Sequence, residues 1–286
     1  MNMSNLKIAI QMYGHLRTFE LCAPALKEHV LNHYDCDVFI HTWDKTEHST
    51  QSWYVDSMKS TVRAVDSTIL AKIKQFYAPK LIKVEPQGFL DEKGHFGTHA
   101  STQISLVGLK YMLYSQYQAN LLREAYQHEH GIAYDYVVVL RPDILPYEKL
   151  NFERFSQEFA FNPRTSIHLV HRAKTKILDN KIFNYPKMAD CYYFSTAEVI
   201  SQITQLYTEF DRYYKAINMI FPAGVENPET AFFEYIYQHN IIPRQYISYF
   251  ALKRHNKKDD IKLLPPKTAN KNKIAFLFKI KKFIFK

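Results

Sequence analysis

The chain has 286 residues, 47% hydrophobic and 23% charged, a balance that fits a soluble globular protein with a substantial core. Its net charge of +9 is concentrated at one end, because Lys253 to Lys286 holds twelve Lys/Arg against two acids. The preceding residues are close to neutral and show no nucleic-acid footprint, and with only 7 glycines there is neither a GxGxxG nor a GxxxxGK[ST] run, which argues against dinucleotide-fingerprint and P-loop chemistry.

Lys7 to Tyr13 reads as a first strand closed by Gly14, too short and too strand-like for a secretory h-region. Thr18 is a candidate N-cap for a helix running to Asn32. Asp37 to Asp44 reads as a second strand, Lys45 to Met58 as a polar loop. Val65, Ile69, Ile73 and Phe76 place a helical stripe in Thr61 to Tyr77. Leu81 to Val84 is a short third strand, followed by a loop from Gly88 to Gly97. Leu106, Leu109, Leu113, Tyr117, Leu121 and Ala125 mark a long helix over Ser105 to His128, stopped by Gly131. Tyr136 to Leu140 is uninterrupted β-branched, aromatic and aliphatic sequence, the pattern of a strand buried on both faces. Pro142 ends its pairing.

Further on, Ser166–Val170 and Asp190–Ser195 read as strands and Ala197–Tyr214 as a helix. Another helix begins at Pro228, with Asn227 as cap, and runs to His239; Ile241–Tyr249 is the last strand. Helices alternating with strands predict an α/β fold, a single domain over residues 1–252 with a largely parallel sheet flanked by helices. Residues 253–286 form a separate basic tail. Within it Phe276, Leu277, Ile280, Phe283 and Ile284 fall on one side of a helix, with Lys279, Lys282 and Lys286 opposite. Such a helix suits an anionic membrane surface; a helix docked on the body and a disordered basic end are the other readings. No apolar run of about 18 residues is present to span a bilayer. Cys22, Cys36 and Cys191 are odd in number and without zinc spacing, as expected of reduced cytosolic thiols.

Three predicted strands end in polar groups: Gly14-His15-Leu16-Arg17, His41-Thr42-Trp43-Asp44 and Arg141-Pro142-Asp143. In a parallel sheet these groups converge on the carboxyl edge, where open α/β sheets bind ligands. Gly14 permits close backbone approach. Arg17 and Arg141 offer planar donors to phosphate oxygens, and pairing with a surface acid is the other reading of Arg17. Trp43 suits either the core or stacking on a base, and Asp44 can accept from a base or ribose. Asp143 can hold a divalent cation or begin a turn. The set describes a pocket for a nucleoside diphosphate carrying a leaving group. His41, His168 and His171 have no zinc spacing and read as structural.

The phrases GHLRTF (14–19), DVFIHTWD (37–44), YDYVVVLRPDI (134–144) and ADCYYFS (189–195), in this order, resemble bacterial glycosyltransferases of capsule and lipopolysaccharide loci. These are similar to the GT-A nucleotide-sugar transferases, and the resemblance spans roughly residues 6 to 250. It implies a GT-A-like, Rossmann-related sheet, a nucleotide-sugar donor, a glycan or lipid-linked acceptor, and Mn²⁺ or Mg²⁺. Arg141-Pro142-Asp143 stands at the place of the Asp-x-Asp metal motif. Only its second acid matches, so Asp143 is the implied metal residue and Arg141 leaves metal dependence open. His255 is a candidate late-chain ligand, or part of a solvated basic run.

Sugar transfer passes through an oxocarbenium-like state, and the departing diphosphate needs its charge stabilised. An inverting enzyme also needs a carboxylate base. Glu226, Glu229 and Asp190 are candidates. The resemblance favours Glu229, at the start of a helix in the acceptor half, where an acid is also favoured by the helix dipole alone. These readings place the protein in the cytoplasm, peripheral on the inner face of the membrane. Competing readings are a nucleotidyl- or phosphoryl-transferase using the same acids and arginines, and a non-enzymatic basic membrane-binding protein.

Overall fold

The computed structural model describes residues 6–47, 62–90, 95–96, 104–152, 166–170, 173–178, 181–186, 191–216, 228–246 and 250–253. In chain order the elements are β1 (Lys7–Tyr13), α1 (Phe19–Leu26), β2 (Asp35–Trp43), α2 (Ser67–Tyr77), β3 (Leu81–Glu85), β4 (His95–Phe96), β5 (Ile104–Ser105), α3 (Leu106–His130), β6 (Tyr136–Leu140) and β7 (Ile144–Pro146). There follow β8 (Ser166–Val170), β9 (Ala173–Leu178), β10 (Lys181–Pro186), β11 (Tyr192–Ser195), α4 (Ala197–Thr204), α5 (Leu206–Ala216), α6 (Pro228–Gln238), β12 (Ile242–Tyr246) and β13 (Phe250–Leu252).

The main sheet runs β12-β8-β11-β6-β1-β2-β3. β1 lies parallel to β2 and β6, β2 to β3, and β8 to β12; β11 alone is reversed, antiparallel to β6 and β8. The protein is therefore an α/β domain with a mixed, mostly parallel sheet flanked by helices. Its centre is buried on both faces, which is why β6 reads as an unbroken apolar run. Alternate side chains feed two cores. Ala9, Tyr13, Phe39, Val137, Val139 and Tyr193 pack with Leu109 and Leu113 of α3 and with α4 to α6. Ile8, Ile10, Met12, Val38, Ile40, Val138 and Leu140 pack with α1 and α2.

Register decides where the polar ends fall. Tyr13 lies opposite His41 and Met12 opposite Leu140, so β1, β2 and β6 finish level with one another. The segments after them leave from a single edge.

Several boundaries differ from expectation, each for a local reason. α2 begins at Ser67, not Thr61, because the Asp66 carboxylate accepts from Ile69 N–H at 2.9 Å and caps the helix there. α1 contains Pro24 and continues as a π-helical turn over Lys27–Leu31; a proline cannot donate to the preceding turn, and the hydrogen-bond pattern widens after it. The predicted helix over Ala197–Tyr214 is two helices parted at Gln205. The β9/β10 hairpin and the β7/β13 pair were not foreseen.

The buried face of α3 also departs from the apolar stripe. Leu109 and Leu113 are buried, but Leu121 is 36% exposed while Asn120 and Arg123 are enclosed. Gln11 of β1 donates to Asn120 Oδ1 at 3.1 Å, Arg123 Nη2 donates to the same oxygen at 2.7 Å and to Ser201 Oγ of α4 at 2.6 Å. Polar side chains can occupy a core face when partners on two other elements satisfy them. The three cysteines are free, and burial, helped by Asp35 and Asp37, pushes the Cys36 thiol up to about 12.

Candidate active site

The site grows from the carboxyl edge of β1, β2 and β6. Gly14 has φ +87, and its N–H donates to Ser115 Oγ of α3 at 2.7 Å. Arg17 has φ +49, a left-handed backbone disfavoured by about 1–2 kcal/mol for a residue with a Cβ. Its N–H donates to Thr46 O at 2.8 Å, tying the loop after β1 to the loop after β2. The strain is held by surrounding contacts, a pattern that clusters at functional sites.

Asp143 is fully buried. Its Oδ1 accepts from Arg141 Nε at 3.0 Å and its Oδ2 from Arg141 Nη2 at 2.7 Å, a two-point fork. Oδ2 also accepts from Arg17 Nη1 at 3.4 Å, while Arg17 Nε donates to Glu47 Oε1 at 3.1 Å. The order Arg141–Asp143–Arg17–Glu47 alternates in charge. Burial alone pulls the Arg141 guanidinium down, but Asp143 foremost, with Cys191 and Tyr13, overcomes it and raises it well above the usual arginine range. Arg141 therefore stays charged. From the last of the described residues, Lys253 N–H donates to Asp143 O at 3.0 Å, and Lys253 O accepts from Thr18 Oγ1 at 2.9 Å. Thr18 occupies the N-cap position of α1, but its hydroxyl serves this strap instead of the helix.

A second network backs the Gly14 loop. His41 is fully buried, with Nδ1 2.7 Å from Ser115 Oγ and Nε2 2.9 Å from Glu85 Oε2. Burial, only partly countered by Glu85, lowers His41 to about 4. The neutral ring then donates from Nε2 to Glu85 and accepts at Nδ1 from Ser115, whose oxygen accepts from Gly14. Lys83, His41 and Tyr114 outweigh burial and hold Glu85 below the usual carboxylate range. The unfolded chain, with an ordinary histidine at 6.5, takes up a proton that the fold refuses down to about 4. Stability from neutral His41 is thus complete above about pH 6.5 and is lost as pH falls toward 4, roughly 3 kcal/mol in all. Depressed Glu85 acts in the same direction. Chemical denaturation between pH 7 and 4 should show this loss, and His41→Gln should flatten the curve; equal slopes for both proteins would remove His41 as its source.

Trp43 is 2% exposed. Its ring stacks on Tyr114 at 5.9 Å and meets Tyr111 at 5.2 Å and His41 at 5.0 Å edge-on. It is a wall of an aromatic cluster and offers no open platform for a base, so of its two readings the core one fits. Asp44 is half-buried beside it, its N–H donating to Glu85 O at 2.8 Å.

No family model matches the sequence, and no curated protein matches it. Among solved structures the chain is similar to the apo form of mouse xyloside xylosyltransferase 1, at 10% identity and a TM-score of 0.40, over 85% of each chain. A match of that depth assigns neither family nor chemistry.

The structure brings Arg17, Arg141 and Asp143 into direct contact and joins Gly14 to the same edge. Asp190 and His255 lie outside the described residues. Glu229 sits in the first turn of α6, with its side chain outside them as well. Glu47 and Ser115 were missed: Glu47 belongs to a polar run with no local mark, and Ser115 showed only as a small polar residue inside an amphipathic helix. A divalent cation does not fit the described donor set. Both oxygens of Asp143 are taken by guanidinium groups, and no cluster of three His, Cys, Asp or Glu among the described residues is placed to hold a metal. Asp143, the implied metal residue, is in this structure the anchor of two arginines.

Proposed function

We propose that this chain is a glycosyltransferase that moves a sugar from a nucleoside-diphosphate sugar to a glycan or lipid-linked acceptor in surface-polysaccharide assembly. The observation that carries the reading is the meeting of Arg17, Arg141 and Asp143 at the carboxyl edge of a mostly parallel sheet, in a loop set opened by Gly14. Fixed guanidinium donors at that edge suit the pyrophosphate of a donor and the charge that develops on it as the glycosidic bond breaks. The sugar then carries oxocarbenium character, and a carboxylate removes the acceptor hydroxyl's proton; Glu229 is the first choice and Asp190 the second. The full commitment of Asp143 disfavours the nucleotidyl- and phosphoryl-transfer reading, in which bound cations clamp the phosphates.

A thermal-shift screen of UDP-, GDP-, CDP- and dTDP-sugars tests the reading, because a ligand that binds only the folded chain raises the melting point. One nucleotide series should stabilise the protein by several degrees. No shift with any of them at millimolar concentration would remove the assignment.

The basic tail supports a cytoplasmic, membrane-peripheral setting on the inner face. The last described residue, Lys253, is bonded through its backbone to Asp143 and Thr18. Among the described residues no helix is long and apolar enough to cross a membrane. The full chain should co-sediment with vesicles containing about 30% anionic lipid and release in about 0.5 M salt, where screening is within a few ångströms. Reversing Lys279, Lys282 and Lys286 to Glu should abolish binding; sedimentation equal to wild type would end the surface-anchor reading.

A further inference from the structure

We propose that donor binding in this protein is independent of divalent cations, that Arg17 is the group that grips the diphosphate, and that Asp143 is its positioning residue. The inference rests on the sugar-transfer reading and concerns how that site holds its donor.

Carboxylates that bind Mg²⁺ present an oxygen to the cation at about 2.0–2.1 Å, and the cation in turn meets the substrate phosphates. Asp143 is 0% exposed and accepts three hydrogen bonds from two arginines. A cation arriving there would have to break the Arg141 fork and then sit against two positive groups. By the resemblance Arg141 takes the first position of the Asp-x-Asp pattern, so the change of sign there and the burial of the second acid act together. One replaces a ligand with a cation; the other removes the remaining ligand from the solvent edge.

The two arginines are not equivalent. Arg141 is fixed at Nε and Nη2 by Asp143, with Nη1 3.5 Å from Cys191 Sγ. Arg17 is held at Nε by Glu47 and at Nη1 by Asp143, which leaves Nη2 without a partner among the described residues. That side chain is 14% exposed, and Nη2 is not among the buried polar atoms lacking a partner. Arg17 therefore presents one open edge of a guanidinium whose other edge is locked. Its left-handed backbone, fixed through Thr46, sets the direction from which that edge is offered. A guanidinium held this way loses little freedom when phosphate oxygens replace water. Glu47 and Asp143 balance the charge of the two arginines.

Calorimetric titration of the full chain with UDP, GDP, CDP and dTDP, in EDTA and again with Mn²⁺, tests this. The expected result is one nucleoside diphosphate whose Kd changes less than about threefold between the two conditions. Arg17→Gln should weaken it at least tenfold in both, with Arg17→Lys intermediate because charge survives but the planar fork does not. Binding that appears only with Mn²⁺ overturns the inference while leaving a metal-dependent sugar transferase. Wild-type affinity in Arg17→Gln removes Arg17 as the phosphate group even if binding ignores metal. Failure of every nucleotide in both conditions overturns the inference and the transferase reading together.

Discussion

Asp143→Ala should destabilise the fold by about 3–5 kcal/mol, because it leaves Arg141, and in part Arg17, charged and enclosed without their counter-ion. For a chain of this size that corresponds to a fall in melting point of roughly 10 °C. The expectation follows from the complete burial of Asp143 and its two-point fork with Arg141. An acid waiting at a solvent edge for a ligand would behave differently, since substitutions at exposed positions usually change stability by less than about 0.5 kcal/mol. Removing both partners separates pairing from packing. Arg141→Met with Asp143→Leu should recover most of the loss, because a buried ion pair is worth little net of desolvation while a broken one is expensive. Thermal and urea unfolding of the single and double variants measure this. A single variant within about 2 °C of wild type would show that the carboxylate is not the buried anchor described here.

Much of the fold could be read in advance, for a physical reason. β1, β6 and β8 fall where the sequence predicts them because each is a short β-rich run bounded by turn chemistry. The convergence of Arg17, Arg141 and Asp143 was also legible, since parallel strands of matched register must deliver their ends to one edge. What those side chains do to one another was not. Whether Asp143 faces a ligand or two arginines depends on distances of a few ångströms that no spacing rule contains. Trp43 shows the same limit: its place at the end of β2 was correct, but Tyr111, Tyr114 and His41, from two elements, close around it. In α3 the apolar stripe pointed to Leu121, whereas the helix buries Asn120 and Arg123, whose partners Gln11 and Ser201 lie far away in sequence. Long-range polar satisfaction overrides local periodicity wherever such partners exist. The strands of the β9/β10 hairpin, AKTKIL and KIFNYP, mix lysines with apolar residues and hold no apolar run long enough to mark either one.

The strap formed by β13 links these observations. Phe250 is fully buried against Tyr192, 5.4 Å between ring centres, and β13 pairs with β7 immediately after Asp143. The end of the described chain is therefore part of the wall that fixes Asp143.

Glu229→Gln should lower kcat by about 10²–10⁴ and leave nucleotide affinity and melting point nearly unchanged. Pro228 opens α6 and places Glu229 in its first turn, and Phe232, one turn on, packs against Tyr193 of β11 at 5.1 Å. The helix start is thereby fixed relative to a strand adjacent to β6, whose end carries Arg141 and Asp143. An acid in the first turn is also favoured by the helix dipole alone, so position by itself does not separate a base from a capping residue. Glutamine keeps the size and polarity of the side chain and removes its ability to take a proton. The comparison that decides the role is turnover against binding: loss of both marks a structural residue, loss of turnover alone marks the base. If Glu229→Gln turns over at the wild-type rate while Asp190→Asn does not, the proton goes to the carboxylate beside Cys191, and α6 serves only to cover the sheet.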